Sequence, residues 1–321
     1  MLAGYIALKI FVVFNPHAKR NKKRPGLPSK LEAILGPSAV VRSSRSIEGI
    51  DEIAREALAE ECDVLAVCGG DGTLHHTLSR FHQVYGEHLL PKVLTLGGGT
   101  MNMVCHSIKV TGPSEGIAYR FRDTLDKSKQ NGKGPNIRTV ERDTLQIGER
   151  LSFIFGLGLV SNFLDAYYEG GTTGPVKAAL VVQRAVASVM KRGEFARELF
   201  SPWAGKVVID GRDVPYEEHT AVLVQTIENL GIGFKPMYRA FEKRRHFHML
   251  DTCLTPVQVV KNIHKVFLGS PIQSPQMTDV IGTRIEITPK EDCRYTMDGD
   301  MYTCTDTLTV EVGPRIEFLI V

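Results

Sequence analysis

The feature that most constrains this chain is a pattern stated twice in its first third: a short apolar run, a glycine-rich turn, then a helical pattern. Asp63-Val64-Leu65-Ala66-Val67-Cys68 runs into Gly69-Gly70-Asp71-Gly72-Thr73 and a helix over about 74–85. Lys92 to Leu96 then runs into Gly97-Gly98-Gly99-Thr100-Met101-Asn102. Apolar runs this short and unbroken suit strands covered on both faces, and strand–turn–helix repeats predict a parallel sheet with helices packed on it. Ile6 to Phe14, stopped by Asn15-Pro16, supplies a first strand. Ser46 is placed to cap a helix that presents Ile47, Ile50, Ile53, Ala54, Ala57 and Leu58 on one face.

After about residue 140 the texture changes. Asp143–Ile147 and Leu151–Phe155 flank Gly148-Glu149 as a hairpin, and Lys206–Ile209 meets Val214-Pro215 through Asp210-Gly211 as another. Further strands are expected at 221–226, 284–288, 307–312 and 315–320, with one helix over 176–191. The break at Lys129-Gln130-Asn131-Gly132-Lys133-Gly134-Pro135 marks the boundary. No internal repeat or low-complexity tract interrupts either part.

At 321 residues, 43% hydrophobic and 23% charged, the chain is long enough for two core-forming domains without disulfides or structural metal. Collagen, coiled coil and wholesale disorder are excluded. A net charge of +3 gives no reason to expect nucleic acid as a partner. The six cysteines show neither a CxxC pair nor zinc spacing and suit buried thiols in a reducing compartment. The apolar N-terminal stretch is broken by Lys9, lacks a basic start, and is too short to span a bilayer, so the expected location is cytoplasmic.

Glycines between a strand and a helix let backbone N–H groups approach an anion, and the helix N-terminus adds partial positive charge. Two such turns at consecutive strand ends point to phosphate binding, with Asp71 needing a magnesium ion or water between it and the phosphate. The same glycines would also serve two tight turns that need positive φ. No GxxxxGK[ST], third dinucleotide glycine, HExxH, GxSxG or kinase HRD/DFG motif is present.

Taken together, Asn15-Pro16, GGDGT at 69–73, GTMN at 99–102 and Met297-Asp298-Gly299-Asp300 resemble the diacylglycerol kinase family of lipid kinases, with which the sphingosine and ceramide kinases belong. GGDGT alone is shared with NAD kinases and some phosphofructokinases; the four motifs in order span nearly the whole chain. The resemblance implies an α/β nucleotide-binding domain over 1–140, joined by a returning C-terminal strand at about 313–321. It also implies an antiparallel β-sandwich lipid domain over 141–312, with ATP and lipid meeting in the cleft between domains. Carried over position by position, Asn15, Gly69, Gly70, Asp71, Gly72, Thr73, Gly99, Thr100 and Asn102 would hold ATP, with Asp71 on Mg²⁺. Asp298 would be general base for the lipid hydroxyl, and Asp300 stands where the family usually has glutamate. On its own, Asp298-Gly299 reads as a hairpin turn.

The chain departs from the family at Leu74–Ser79, where His75 and His76 read as helix-surface residues, and at Leu159-Val160, where a GFD-like segment lacks its aspartate. Glu242-Lys243-Arg244-Arg245-His246-Phe247-His248 replaces an acidic stretch, which puts a secondary magnesium site in doubt. That cluster and Lys19–Arg24 are basic patches suited either to anionic headgroups or to plain solvation, and Trp203 is a further interfacial candidate. The helix over 176–191, apolar nearly all round, suits core packing or an acyl-chain pocket. His219 and His264 are unremarkable. The expected activity is ATP-dependent phosphorylation of a membrane-lipid hydroxyl at the inner membrane face, diacylglycerol by default and ceramide or a sphingoid base otherwise. The alternatives are NAD kinase, disfavoured because the chain has no Asn-Glu dipeptide, and a non-catalytic lipid-binding protein that keeps the fold. A homodimer is left open.

Overall fold

The computed structural model describes residues 8–130, 137–171 and 173–321. Ile6 and Ala7 of the first apolar run, and 131–135 of the composition break, lie outside the described residues. Two compact units divide the chain: residues 1–142 with 315–321, and residues 143–314.

The first unit contains β1 (Ile10–Phe14), α1 (Leu27–Leu35), β2 (Ala39–Ser43), α2 (Ile47–Ala59), β3 (Val64–Cys68), α3 (Asp71–Tyr85), β4 (Lys92–Thr95), α4 (Met103–Ser107) and α5 (Ser114–Gln130). Its strands pair in parallel in the order β2-β1-β3-β4. Every residue of β1 and β3 is buried, as a sheet covered on both faces requires. The Gly49 N–H donates to Ser46 Oγ at 3.2 Å, so Ser46 caps α2 as its position predicts. Ile50, Ile53, Ala54 and Ala57 are buried behind that cap, while Ile47 stays exposed. Phe14 lies beside Cys68, and Val67 beside Thr95. Asn15, Gly69 and Leu96 therefore leave the sheet at one edge, the carboxyl ends of the strands.

The second unit runs from the end of β5 (Arg138–Ile147) through β6 (Arg150–Ser152), β7 (Ile154–Gly158), α6 (Leu159–Tyr168), α7 (Pro175–Met190), α8 (Glu194–Leu199), β8 (Trp203–Ile209), β9 (Arg212–Asp213), β10 (Glu218–His219), β11 (Ala221–Gln225) and β12 (Phe247–Thr252). It continues with α9 (Pro256–Leu268), β13 (Met277–Gly282), β14 (Arg284–Pro289), β15 (Cys293–Met297), β16 (Asp300–Cys304) and the first part of β17 (Leu308–Ile320). One sheet, β13-β12-β11-β7-β15-β16, is antiparallel throughout. A second carries β10-β8-β14-β17. Val207, Ile285 and Ile287 of the second sheet share one core with Phe155, Val222, Val224 and Met249 of the first. That is sandwich packing. The fold class is the expected one: a mixed α/β sheet in the first unit and antiparallel sheets in the second.

Several expectations are corrected. The second part holds four helices among the described residues rather than one, and α6, α7 and α8 with part of α9 build a small core of their own around Ala185, Val189, Leu199 and Phe200. Leu151–Phe155 is not one strand: β6 ends at Ser152, and Ile154 opens β7 in the other sheet. The strands expected at 307–312 and 315–320 are a single strand, β17, that runs through Gly313-Pro314. Its Ile285-facing part pairs with β14, and Phe318 pairs in parallel with Val93 of β4. On α7, Ala178, Val181, Ala185 and Val189 are buried, but Val176, Leu180 and Met190 face solvent instead of packing in a core. His219 is fully buried, with Nδ1 2.8 Å from Asp251 Oδ1 and its ring stacked on Trp203 at 4.4 Å. Trp203 is half-buried and stacks on the buried His219 ring. All six cysteines are free thiols, and burial pushes Cys68 up to about 11. Cys68 and Cys304 are buried and the other four half-buried. No helix among the described residues is long and apolar enough to cross a membrane.

Candidate functional site

In the first unit the glycine turns after β3 and β4 pack backbone against backbone. A Cβ built on Gly99 would lie 2.3 Å from Gly70 Cα, and one on Gly98 would lie 3.1 Å from Gly69 Cα. A Cβ on Gly69 would strike the Thr73 side chain at 2.4 Å. Gly99 N–H donates to Gly69 O at 3.1 Å, which ties the two turns together. Of the glycines from Gly69 to Gly99 in these two turns, only Gly97 has positive φ, at +62°. The turns therefore need glycine for close approach, and the positive-φ explanation holds at one position only.

Asn15, Asn102 and Asp71 each have a definable local task. Asn15 Nδ2 donates to Thr73 Oγ1 at 2.8 Å, while its Oδ1 accepts from the His17 N–H. Asn102 sits in the left-handed region at φ 47° and clasps one peptide group: Gly99 N–H donates to its Oδ1 at 3.1 Å, and its Nδ2 donates to Gly99 O at 3.2 Å. Asp71 opens α3 rather than lying in the turn before it, with Gly72 and Thr73 in the same first turn and Gly70 as an N-cap without a side-chain bond. Its Oδ1 accepts from the Val104 N–H of α4 at 3.3 Å. Burial pushes the Asp71 carboxyl up to about 6, against the pull of N–H groups from Val104 and Met103. Thr100 lies half-buried in the turn between Gly99 and Asn102.

Two residues that the motifs do not include complete this edge. Asn21, buried within the basic loop, donates from Nδ2 to Asn15 O at 2.8 Å and Cys68 O at 3.0 Å. Next to it, Arg20 N–H donates to Gly98 O, so the loop after β1 is fastened to both glycine turns. Ser114, at the start of α5, donates from Oγ to Gly97 O at 2.7 Å. The only sequence signal for Asn21 is an uncharged polar residue in a run of cations. Arg24 turns inward onto Glu115, so the exposed cations of that patch reduce to Lys19, Arg20, Lys22 and Lys23.

In the second unit Asp298 (φ 48°) and Gly299 (φ 95°) form the two-residue turn of the β15–β16 hairpin, with Met297 opposite Asp300. Positive φ at both positions is the I′ pattern that Asp-Gly favours. The Asp298 side chain is buried and reaches beyond the turn. Ile154 N–H donates to its Oδ1 at 3.0 Å, and Phe153 N–H donates to both oxygens at 3.1–3.2 Å. Those two N–H groups flank the point where the chain leaves β6 for β7. Tyr168 of α6 donates from its hydroxyl to Gly299 O at 2.9 Å and holds the turn from the other side. Asp300 is half-buried at the head of β16.

The remaining expectations divide. His75 is buried rather than on the helix surface, and His76 is half-buried. The 242–248 cluster is exposed only as far as Arg245. Phe247 and His248 are buried in β12, where His248 Nε2 lies 2.9 Å from Asp279 Oδ1.

Residues 9–128 match the family model of the diacylglycerol kinase catalytic domain, the family read from the motifs. A crystal structure of a diacylglycerol kinase from Bacillus anthracis strain Sterne is similar in fold, with a TM-score of 0.65 at 16% identity over 98% of this chain and 97% of that one. Another, of a candidate diacylglycerol kinase from the same strain, has a TM-score of 0.70 at 17% identity over the same shares. No curated protein sequence matches the chain.

Proposed function

We propose that this chain is an ATP-dependent lipid kinase that transfers the γ-phosphoryl group to a membrane-lipid hydroxyl, with diacylglycerol as default acceptor and ceramide or a sphingoid base as the alternative. The observation that carries the reading is the backbone-on-backbone packing of Gly69-Gly70 against Gly98-Gly99, inside the segment that matches the catalytic-domain family. Such a surface has no Cβ atoms to hold a phosphate away. It adjoins the N-terminus of a 15-residue helix whose N-cap contributes no side-chain bond to the first-turn N–H groups. These residues fit a nucleotide phosphate chain. Asn15, Asn21 and Asn102 act by bracing the turns, since the side-chain bonds they make go to other parts of the loops.

Asp71 is the residue we assign to Mg²⁺, which when bound would offset charge on the phosphates. A carboxyl held near 6 by burial gains its charge readily beside a cation, so the donor fits the ion. In the second unit Asp298 is assigned as general base, with Asp300 as the neighbouring acid. The N–H groups of Phe153 and Ile154 fix the direction of the Asp298 carboxylate. A carboxylate accepts about four hydrogen bonds, so these contacts are compatible with taking a proton from an alcohol.

The same contacts are what a purely structural aspartate would make, and they favour a second reading in which the fold binds lipid without turnover. Asp298→Asn separates the two. Asparagine suits a I′ turn and keeps an acceptor oxygen for Ile154, so the hairpin should survive while base function is lost. Transfer from ATP with Mg²⁺ to mixed micelles of diacylglycerol, monoacylglycerol, ceramide or sphingosine is expected from the native chain. In Asp298→Asn it should fall by roughly 10²-fold or more, with nucleotide binding retained. Equal turnover in the variant removes Asp298 from the base role; ATP binding without transfer to any acceptor selects the binding protein.

A further inference from the structure

Of the large hydrophobic side chains exposed among the described residues, six lie on two helices of the second unit. Val176, Leu180 and Met190 are on α7, and Val257, Phe267 and Leu268 are on α9, all between 50% and 80% exposed. Their spacing is helical. Val176, Leu180 and Met190 form a stripe opposite the buried Ala178, Val181, Ala185 and Val189. Val257 and Leu268 line up with Lys261 and His264 on the outer side of α9, whose Val259 and Val260 pack against the small helical core. Scattered exposed hydrophobics need no explanation, but a concentration on two neighbouring helices does.

Charge points to what covers them. Residues 175–192 and 255–278 contain no Asp or Glu but hold Lys177, Arg184, Lys191, Arg192, Lys261 and Lys265. These six cations exceed the net charge of +3 of the whole chain, so the remainder is net acidic. Among the described residues only Arg184 of the six has a carboxylate partner, Glu169 at 3.8 Å. Apolar side chains interleaved with unneutralised Lys and Arg on a helix face are the pattern of a surface lying in an anionic lipid interface.

Helix α9 adds an independent argument. None of its residues is fully buried, yet both ends are firmly set. Thr255 and Gln258 form a capping box, Pro256 occupies the first turn, and Gly269 closes the helix in the left-handed conformation. The sequence specifies this helix by its caps rather than by burial, which leaves its outer face available for contact with something beyond the chain.

We propose that the outer faces of α7 and α9 are the docking surface by which the protein engages an anionic bilayer. The proposal deepens the lipid-kinase reading by naming its membrane contact, but its test needs neither nucleotide nor turnover. Basic residues near an anionic surface attract through the leaflet potential, while Leu180, Met190, Phe267 and Leu268 supply apolar area to the interface. Arg184 is the exception among the cations: its guanidinium lies over the Phe195 ring at 3.9 Å and helps hold the helices together.

Cosedimentation with vesicles of phosphatidylglycerol and phosphatidylcholine mixed at about 1:2 tests this directly, beside pure phosphatidylcholine. The native chain should bind the mixed vesicles, weakly or not at all the neutral ones, and less as salt rises. Leu180→Glu/Leu268→Glu and Lys191→Glu/Lys261→Glu should each reduce binding by about tenfold or more, with Trp203 emission unchanged as evidence of folding. Lys22→Glu/Lys23→Glu, in the other basic loop, should bind like the native chain. No binding by the native chain, equal binding by the helix variants, or loss confined to the Lys22/Lys23 variant overturns the assignment. So does a concentration-dependent dimer abolished by Leu180→Glu/Leu268→Glu in the absence of vesicle binding, which would make a second copy the occupant. Phosphoryl transfer to a short-chain, water-soluble diacylglycerol separates the two readings. Vesicle binding without transfer to any acceptor keeps the surface and sinks the kinase; transfer without vesicle binding does the reverse.

Discussion

A single methyl group tests how the glycine turns work. In Gly99→Ala the new Cβ would sit 2.3 Å from Gly70 Cα, a backbone atom that cannot rotate away. Overpacking of this kind costs about 1–3 kcal/mol, and the strain is relieved by pushing Gly70 away from Gly99 and with it the first turn of α3. Nucleotide affinity should therefore fall by roughly tenfold or more alongside a measurable loss of thermal stability. Gly97→Ala is the matched control. Its φ of +62° penalises alanine, but the nearest atom to the new Cβ is Asn102 Nδ2 at 3.7 Å. That substitution should cost about 1 kcal/mol of strain and leave affinity closer to native. Calorimetric titration of both variants with a non-hydrolysable ATP analogue decides the matter; undiminished affinity in Gly99→Ala would remove the close-approach argument. At this scale the sequence was informative about which glycines matter and less so about why. A run of Gly-Gly signals a turn, whereas the approach of one turn to another is a tertiary fact. Asn21 shows the same limit, since little beyond its lack of charge marks it as the buried donor that ties the loop after β1 to Cys68 at the end of β3.

Between elements, side chains decide how strands and loops are joined. Asp279 of β13 gathers three groups from two other segments: Tyr238 Oη, Arg239 Nη1 at 3.1 Å and His248 Nε2 of β12 at 2.9 Å. Burial acts to raise its carboxyl, but these hydrogen bonds and charges together hold it below the ordinary carboxylate range. An aspartate depressed in the folded state adds stability above its unfolded pKa and loses it as pH falls through the folded value. Asp279→Asn should therefore be less stable than the native chain at neutral pH, and the gap should narrow below about pH 4 as the native carboxylate takes up its proton. The chain has one tryptophan, Trp203, in this unit, so its fluorescence during urea unfolding follows the relevant part of the molecule. A gap that stays constant from neutral to acid pH would show that Asp279 contributes shape and not charge. Other element-level features were hard to read for comparable reasons. Only Ser152 interrupts the apolar run over Leu151–Phe155, so the change of sheet at Phe153 leaves little local trace, and the N–H groups there are held by the distant Asp298 carboxylate. Gly313-Pro314 looks like a turn, yet Gly313 is there because a Cβ would come 2.5 Å from Thr144 Oγ1, and the strand continues through both residues. By contrast α2, with its Ser46 cap and regular apolar face, and the Asp210-Gly211 hairpin were legible because every signal they use is local.

For the molecule as a whole, the consequential feature is that the first unit is discontinuous in sequence. Residues 315–321 belong with 1–142, and Phe318, fully buried, pairs in parallel with Val93 at the edge of β4. Ile316 and Leu319 are buried with it. A fragment ending at residue 142 would leave that edge of β4 unpaired and expose the apolar surface these three side chains cover. Burying a single large aliphatic or aromatic side chain contributes about 1.5–3 kcal/mol, so losing three removes a sum comparable to the total stability of an ordinary domain. An unpaired edge beside exposed apolar area also invites strand addition from another copy. The fragment is accordingly expected to be aggregated or poorly structured by circular dichroism. Residues 8–142 joined through a flexible linker to 313–321 should be soluble, cooperatively folded and able to bind an ATP analogue. Phe318→Ala within that fusion should cost about 3–5 kcal/mol. If the fragment ending at residue 142 folds and binds as well as the fusion, the returning strand is dispensable to the first unit. If only the fusion does, folding of the first unit waits on residues 313–321.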